Sequence, residues 1–194
     1  MTLITNTLED SEITFPETAA RRSPYHYRSR SAFARPGNTN AYAIGETISD
    51  HVSTLKAIGF PNCAGMAGGS GRILGATVMW QEAQANAPDL ELLIFESEPS
   101  GHADGGTLNL VASNDPILVG SVYLEPDVSL SATRTLWVPA RQDQTAGFFH
   151  PMSYVCRDAT NTRSLFGLLT VRTDSGYTPT SGSKLLLSLD LEID

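Results

Sequence analysis

At the end of the chain Leu187, Leu189, Leu191 and Ile193 alternate with Ser188, Asp190, Glu192 and Asp194, a period of two that only a half-buried β-strand satisfies. Wound as a helix, the same residues would put their apolar side chains on opposite sides of the cylinder and bury neither set. Two further stretches, 73–80 (ILGATVMW) and 117–124 (ILVGSVYL), are apolar on both faces, as expected of central strands covered on each side or of a strand at an oligomer contact. Shorter strand-like runs fall at 42–48, 52–60, 90–96, 133–138, 148–150 and 164–172. In 133–138, Thr133, Thr135 and Trp137 share one face while Arg134, Leu136 and Val138 share the other.

Turn chemistry separates these runs: Gly68-Gly69-Ser70-Gly71, Pro99-Ser100-Gly101, Asp104-Gly105-Gly106, Asn114-Asp115-Pro116, Asp174-Ser175-Gly176 and Ser181-Gly182. Helical periodicity is nearly absent. Strands this numerous, without helices between them, do not build a parallel α/β sheet. The expectation is an all-β protein, an antiparallel β-sandwich of the jelly-roll kind, and 194 residues suit one such domain.

Residues 1–34 differ from the rest, being polar, mixed in charge and without a sustained period. They are expected to form an extended N-terminal arm, leaving 35–194 as the sandwich domain. Arg21, Arg22, Arg28, Arg30 and Arg35 are five of the thirteen basic residues and fall within fifteen positions. From residue 36 onward eight basic residues face seventeen acidic ones, a net of −9. A basic segment carrying Tyr25, Tyr27 and Phe33 on an acidic body has the composition of a protein-contact element, since Arg and Tyr are favoured at interfaces. The alternative is a solvated terminus.

The whole chain carries a formal charge of −8, which argues against a broad electrostatic grip on nucleic acid. It has no apolar run of membrane-spanning length and no signal-peptide pattern at its start, so neither a membrane nor a secretory route is expected. Cys63 and Cys156 stand far apart without a CxxC spacing and read as small buried apolar residues.

Several patterns hint at chemistry, and each has a plainer reading. The run Gly65-Met66-Ala67-Gly68-Gly69-Ser70-Gly71-Arg72 lacks the Gly-Lys-Ser/Thr of a phosphate loop and leads into a strand. His26, His51, His102 and His150 are mutually distant, and His102-Ala103-Asp104 offers two ligands without a third. Glu96 and Glu98 could flank a glycosidic bond, but they read as a solvated strand edge. Trp80, Trp137, Phe148, Phe149 and Tyr154 could build a sugar-stacking platform or, more plainly, a core. There is no Gly-x-Ser-x-Gly elbow. No enzyme activity, metal or cofactor is expected.

The stretch from Arg35 to Ile48 (RPGNTNAYAIGETI) resembles a pattern in tailed-bacteriophage virion proteins, RPxNTxxYxxGDxI. Residues 68–78 (GGSGRILGATV), 90–99 (LELLIFESEP) and 119–126 (VGSVYLEP) look like later strands of those proteins, in the same order, and 164–171 (SLFGLLTV) is a looser match. Glu46 stands where the pattern usually has Asp, and 102–107 lacks its common Asp-Asn-Ala run. The resemblance implies a virion structural protein, a head decoration or cement protein with a jelly-roll body. It would bind the major capsid protein and itself as a homotrimer, and sit on the capsid exterior after assembly in the host cytoplasm. Arg21, Arg22, Tyr25, Tyr27, Arg28, Arg30, Phe33 and Arg35 would be the anchors. The other expectation is a tail-associated receptor- or carbohydrate-binding module with Trp80, Trp137 or Tyr154 exposed.

Overall fold

A computed structural model describes residues 25–37, 40–51, 57–81, 87–110, 118–131, 134–139, 151–157, 163–173 and 178–194. Ten strands occur among them: β1 (Tyr25–Ala34), β2 (Thr47–Ile48), β3 (Ile58–Phe60), β4 (Ser70–Trp80), β5 (Leu90–Phe95), β6 (Leu118–Ser131), β7 (Arg134–Pro139), β8 (Met152–Val155), β9 (Leu165–Val171) and β10 (Lys184–Ile193). Every pairing is antiparallel, in the order β1-β10-β4-β7-β6-β5-β9-β2, with β3 also on β9 and β8 also on β4. The sheet curls until β1 comes against β3. Across that seam the Ser29 hydroxyl donates to the Pro61 carbonyl at 2.6 Å. The protein is all-β among the described residues, a curled antiparallel sheet whose halves face each other over one core in the jelly-roll-like manner expected.

The period-two strand at the C-terminus organises that core. Leu185, Leu187, Leu189, Leu191 and Ile193 of β10 all point inward and are buried. Opposite them on β4 stand Trp80, Val78, Ala76 and Ile73. Trp80 and Trp137 lie fully buried with ring centroids 5.7 Å apart and planes tilted by 43°. The Trp137 indole donates to the Pro88 carbonyl at 2.7 Å, so burial leaves that donor satisfied. Glycine is required where strands pack closest: a Cβ on Gly71 would fall on the Glu192 carbonyl oxygen and 2.6 Å from the Tyr154 hydroxyl.

Two strands expected to be covered on both faces are covered on only one by the chain itself. On β4 the outer row of Arg72, Thr77 and Met79 is exposed or half-buried, and on β6 Ser121, Tyr123 and Glu125 face outward. The cause is a bulge in each ladder. Leu191 pairs with Ile73 and Asp190 with Gly75, skipping Leu74; Phe95 pairs with Leu118 and Ile94 with Gly120, skipping Val119. An extra residue reverses the alternation, so one buried face reads in sequence as two apolar faces.

Burial on both sides belongs instead to β9, all seven of whose residues are buried. Leu165, Leu169 and Val171 join the main core, while Phe166 and Leu168 form a second cluster with Leu93, Phe95 and Ala57, against which Leu108 packs. Other departures are local. Of 42–48 only Thr47–Ile48 is strand, because Gly45 turns the chain at φ +81°. Of 52–60 the described part supplies β3, and 148–150 lies outside the described residues. The short strand β8 went unforeseen.

The segment read as an arm enters the sheet. Tyr25–Ala34 is paired along its whole length with β10, from Tyr25 opposite Ile193 to Ala34 opposite Lys184, while residues 1–24 lie outside the described residues. Its inward row was hard to see because Ser29 and Ser31 occupy it where apolar residues were sought.

Candidate functional site

The resemblance pattern falls on the connection that carries the chain from β1, at one end of the sheet order, to β2 at the other. Its first residue, Arg35, is withdrawn from the surface: its guanidinium side chain is 0% exposed and that of Asp104 2% exposed, and they meet at 2.8 Å between Nη2 and Oδ2. Arg35 Nε donates to the Tyr42 hydroxyl, which in turn donates to Asp104 Oδ1. The guanidinium carbon also stands 4.7 Å from the centre of the Tyr42 ring. Burial, followed by the neighbouring Asp104 carboxylate, holds the Tyr42 phenol far above its ordinary pKa, so it acts as a neutral hydrogen-bond relay.

Around this triad the backbone is laced to the loop bearing Asp104. Thr47 N–H donates to the Gly106 carbonyl at 2.9 Å, Gly105 N–H to the Thr47 carbonyl at 2.9 Å, and Leu108 N–H to the Gly45 carbonyl at 2.9 Å. The Thr47 hydroxyl reaches the Ala103 carbonyl at 2.7 Å. Ser49 N–H donates to Asp104 Oδ1 at 3.2 Å, and Asp104 N–H to the His51 carbonyl at 2.7 Å. Glu46 accepts the Ala43 N–H at 2.8 Å and braces the turn. On the other side Arg35 N–H donates to the Ser183 carbonyl at 2.9 Å, tying the clasp to the start of β10. A pocket of about 160 Å³ opens beside the triad, lined by Arg35, Asn40, Tyr42, Glu46, Asp104 and Gly105. That is below the roughly 300–1,000 Å³ of ordinary small-molecule sites.

Other candidate chemistry is likewise built into the fold. Glu96 is buried rather than at a solvated edge. It accepts the Val155 N–H at 2.7 Å and pairs with Arg157 at 2.8 Å, pinning β8 beside the end of β5. Trp80, Trp137 and Tyr154 are buried, as the plainer core reading has it, and the alternative of a sugar platform built on them is overturned; Phe148 and Phe149 lie outside the described residues. Cys63 and Cys156 are free and buried. Burial pushes the Cys63 thiol up to about 11 and the Cys156 thiol to about 12, which leaves both protonated and unreactive at neutral pH. The His102 ring accepts the Asn109 N–H at 3.1 Å and braces its own loop. No group of three or more metal-ligating side chains occurs among the described residues.

Those of the expected anchors that stand at the surface form a strip along β1. Tyr25 is 64% and Tyr27 41% exposed, although both lie on the inward row, opposite Ile193 and Leu191. On the outward row are His26, Arg28 and Arg30. Arg28 is paired with Asp190 at 2.5 Å in an exposed bridge, and Arg30, opposite Ser188, makes no ion pair among the described residues. Phe33 is half-buried against the core. Of the eight expected anchors, Tyr25, Tyr27, Arg28 and Arg30 thus form one exposed strip, Phe33 and Arg35 serve the fold, and Arg21 and Arg22 lie outside the described residues. Asp104 and Glu96 are structural carboxylates whose role the sequence reading misplaced, taking Asp104 for a turn residue and Glu96 for a solvated edge; each sits in or beside a Gly/Pro-rich turn, where no pattern marks a buried partner.

By sequence, no protein family and no curated protein matches the chain. Among solved structures it has a weak similarity to a chain of a particle described as "Israeli acute paralysis virus heated to 63 degree - full particle". The identity is 14% and the TM-score 0.30, over 88% of this chain and 68% of that one. A likeness of that size establishes no shared fold and assigns no role.

Proposed function

We propose that the protein is a virion structural component that decorates a bacteriophage head, binding the major capsid protein lattice from outside and stabilising it as a cement protein. The observation that carries this reading is the division of labour in the chain. Its distinctive polar side chains are turned inward to hold the seam, while Tyr25, Tyr27, Arg28 and Arg30 are displayed on an edge strand of an otherwise acidic body. Tyr and Arg are the residue types that dominate contact energies at protein interfaces. The partner class is supplied by the motif order from Arg35 to Pro126, which resembles that of tailed-phage virion proteins. Assembly in the host cytoplasm and a trimer seated on the shell belong to the same proposal, with many weak contacts summed over a repeating lattice.

The test is cosedimentation with empty capsids of the virus that carries this chain, comparing wild type with Tyr25→Ala/Tyr27→Ala/Arg30→Glu. Occupancy of the variant should fall at least tenfold while its circular dichroism stays that of a β protein. Unchanged occupancy by a folded variant would overturn the proposal. Sedimentation equilibrium should return three times the 20.8 kDa chain mass; a monomer at all concentrations would remove the trimer.

A further inference from the structure

We infer that the free half of the β1 edge, Tyr25–Arg28, receives an extended acidic segment of the partner protein as an added β-strand. The inference takes from the proposed function only the identity of the partner. Seven successive antiparallel steps lead round the sheet from β1 to β3, so β3 runs opposite to β1 where the two meet. With Pro61 held at Ser29, the residues before Pro61 lie alongside Arg30 to Phe33, and Tyr25–Arg28 extends past the end of β3. There the chain after Pro61 passes under the end of β10, with Gly65 beside Ile193 and Asp194, and makes no backbone hydrogen bond to β1. Exposure follows this geometry: Ser29 is buried, Tyr27 is 41% exposed and Tyr25 64%. No backbone hydrogen bond joins that half to any described residue other than those of β10. Such an edge is a template for another strand.

The two rows of side chains specify the strand it fits. On the other side of β1, β10 sets Glu192 opposite His26 and Asp190 opposite Arg28, with Leu191 and Ile193 opposite the two tyrosines. An incoming strand meets the same rows, so it should carry acids on the outward face and apolar side chains against Tyr25 and Tyr27, with an acid in reach of Arg30. A second copy of β1 does not fit. A two-fold antiparallel pairing of β1 with itself that is centred on Arg28 and keeps both cores on one side of the sheet sets Arg28 opposite Arg28 of the copy and His26 opposite Arg30, and like charges directly opposite are destabilising.

The experiment titrates the full-length, 15N-labelled protein with an eight-residue peptide alternating Glu and Val, its Lys/Val counterpart, and a Glu/Val peptide N-methylated at alternate residues. Expected are shifts confined to Tyr25–Arg30 and their β10 neighbours with the Glu/Val peptide, at least tenfold weaker binding after N-methylation or in Arg30→Glu, and none by the Lys/Val peptide. Binding mapped elsewhere, or indifferent to N-methylation, overturns strand addition. So does finding, in the free protein, Tyr25–Arg28 amides that exchange as slowly as those of β10, which would mean that this chain or another copy already fills the edge. Capsid occupancy without peptide binding sinks strand addition alone; peptide binding without capsid occupancy sinks the choice of partner alone.

Discussion

Asp104→Asn is the sharpest probe of how this fold is closed. The substitution keeps the shape of the side chain and removes its charge, leaving the Arg35 guanidinium buried without the carboxylate that now lies 2.8 Å away. Two unit charges about 4 Å apart attract by about 4 kcal/mol at an effective dielectric constant of about 20. Removing one partner of a buried pair typically costs about 3–5 kcal/mol. The amide still offers one oxygen to Tyr42 and Ser49, so the lower end, about 3 kcal/mol, is expected. In urea, with a slope of about 2 kcal/mol per M, the unfolding midpoint should drop by about 1.5 M at unchanged slope. The double substitution Arg35→Met/Asp104→Leu should recover only part of that loss, because apolar replacement of both charges is often neutral or better but strands the Tyr42 hydroxyl and the Ser49 N–H. A loss below about 1 kcal/mol for Asp104→Asn, or strictly additive effects in the double-mutant cycle, would refute the reading of the triad as the clasp of the seam.

Three further outcomes follow from the packing. Each buried thiol has a folded pKa above its ordinary 9.0, about 11 for Cys63 and about 12 for Cys156. Their contribution to stability is therefore complete below pH 9 and declines between pH 9 and 11–12, by about 1.4 kcal/mol per pH unit per thiol; denaturation at stepped pH should show a shallower decline in Cys63→Ala. Gly167→Ala would place a Cβ 2.9 Å from a Phe60 ring carbon and 3.0 Å from Leu92 Cδ1, an overpacking of about 1–3 kcal/mol readable as a lower thermal midpoint. Glu96→Ala should cost about 1–3 kcal/mol by stranding the Val155 N–H, and hydrogen exchange should localise the loss of protection to β8.

The fold class was legible because antiparallel strands with one buried face write their period into the sequence, and β10 does so without interruption. Legibility failed where the period is broken by geometry that one residue introduces. The bulges at Leu74 and Val119 made one-sided strands look two-sided, and Ser29 and Ser31 hid the inward row of β1. The exposed tyrosines and arginines could be named from composition alone, but not the ordered strand that carries them. The buried role of Asp104 was invisible for a different reason: its partners Arg35 and Tyr42 lie 69 and 62 residues away in the chain, and a long-range buried pair leaves no local pattern.

The placement of the motif decides how far its resemblance reaches. Arg35, Tyr42, Gly45, Glu46 and Ile48 lie on the one connection that must cross from the first strand of the ladder to the last. There Arg35 and Tyr42 grip Asp104, Gly45 makes the turn, Glu46 braces it and Ile48 enters the core. A curled sheet that does not close its own hydrogen-bond ladder needs such a tie, because among the described residues no backbone hydrogen bond joins β1 to β3 and the seam is bridged by side-chain bonds from Ser29 to the Pro61 carbonyl and Cys63. In this chain these residues serve the closure of the sheet rather than its outer surface. On the proposed function, affinity for the partner would be set by residues the pattern leaves out, with Tyr25, Tyr27 and Arg30 among the exposed candidates. Substitutions in the clasp should therefore lower stability and capsid occupancy together, whereas substitutions in the strip should lower occupancy at constant stability. If occupancy instead tracked stability in both sets, the strip would be ordinary surface.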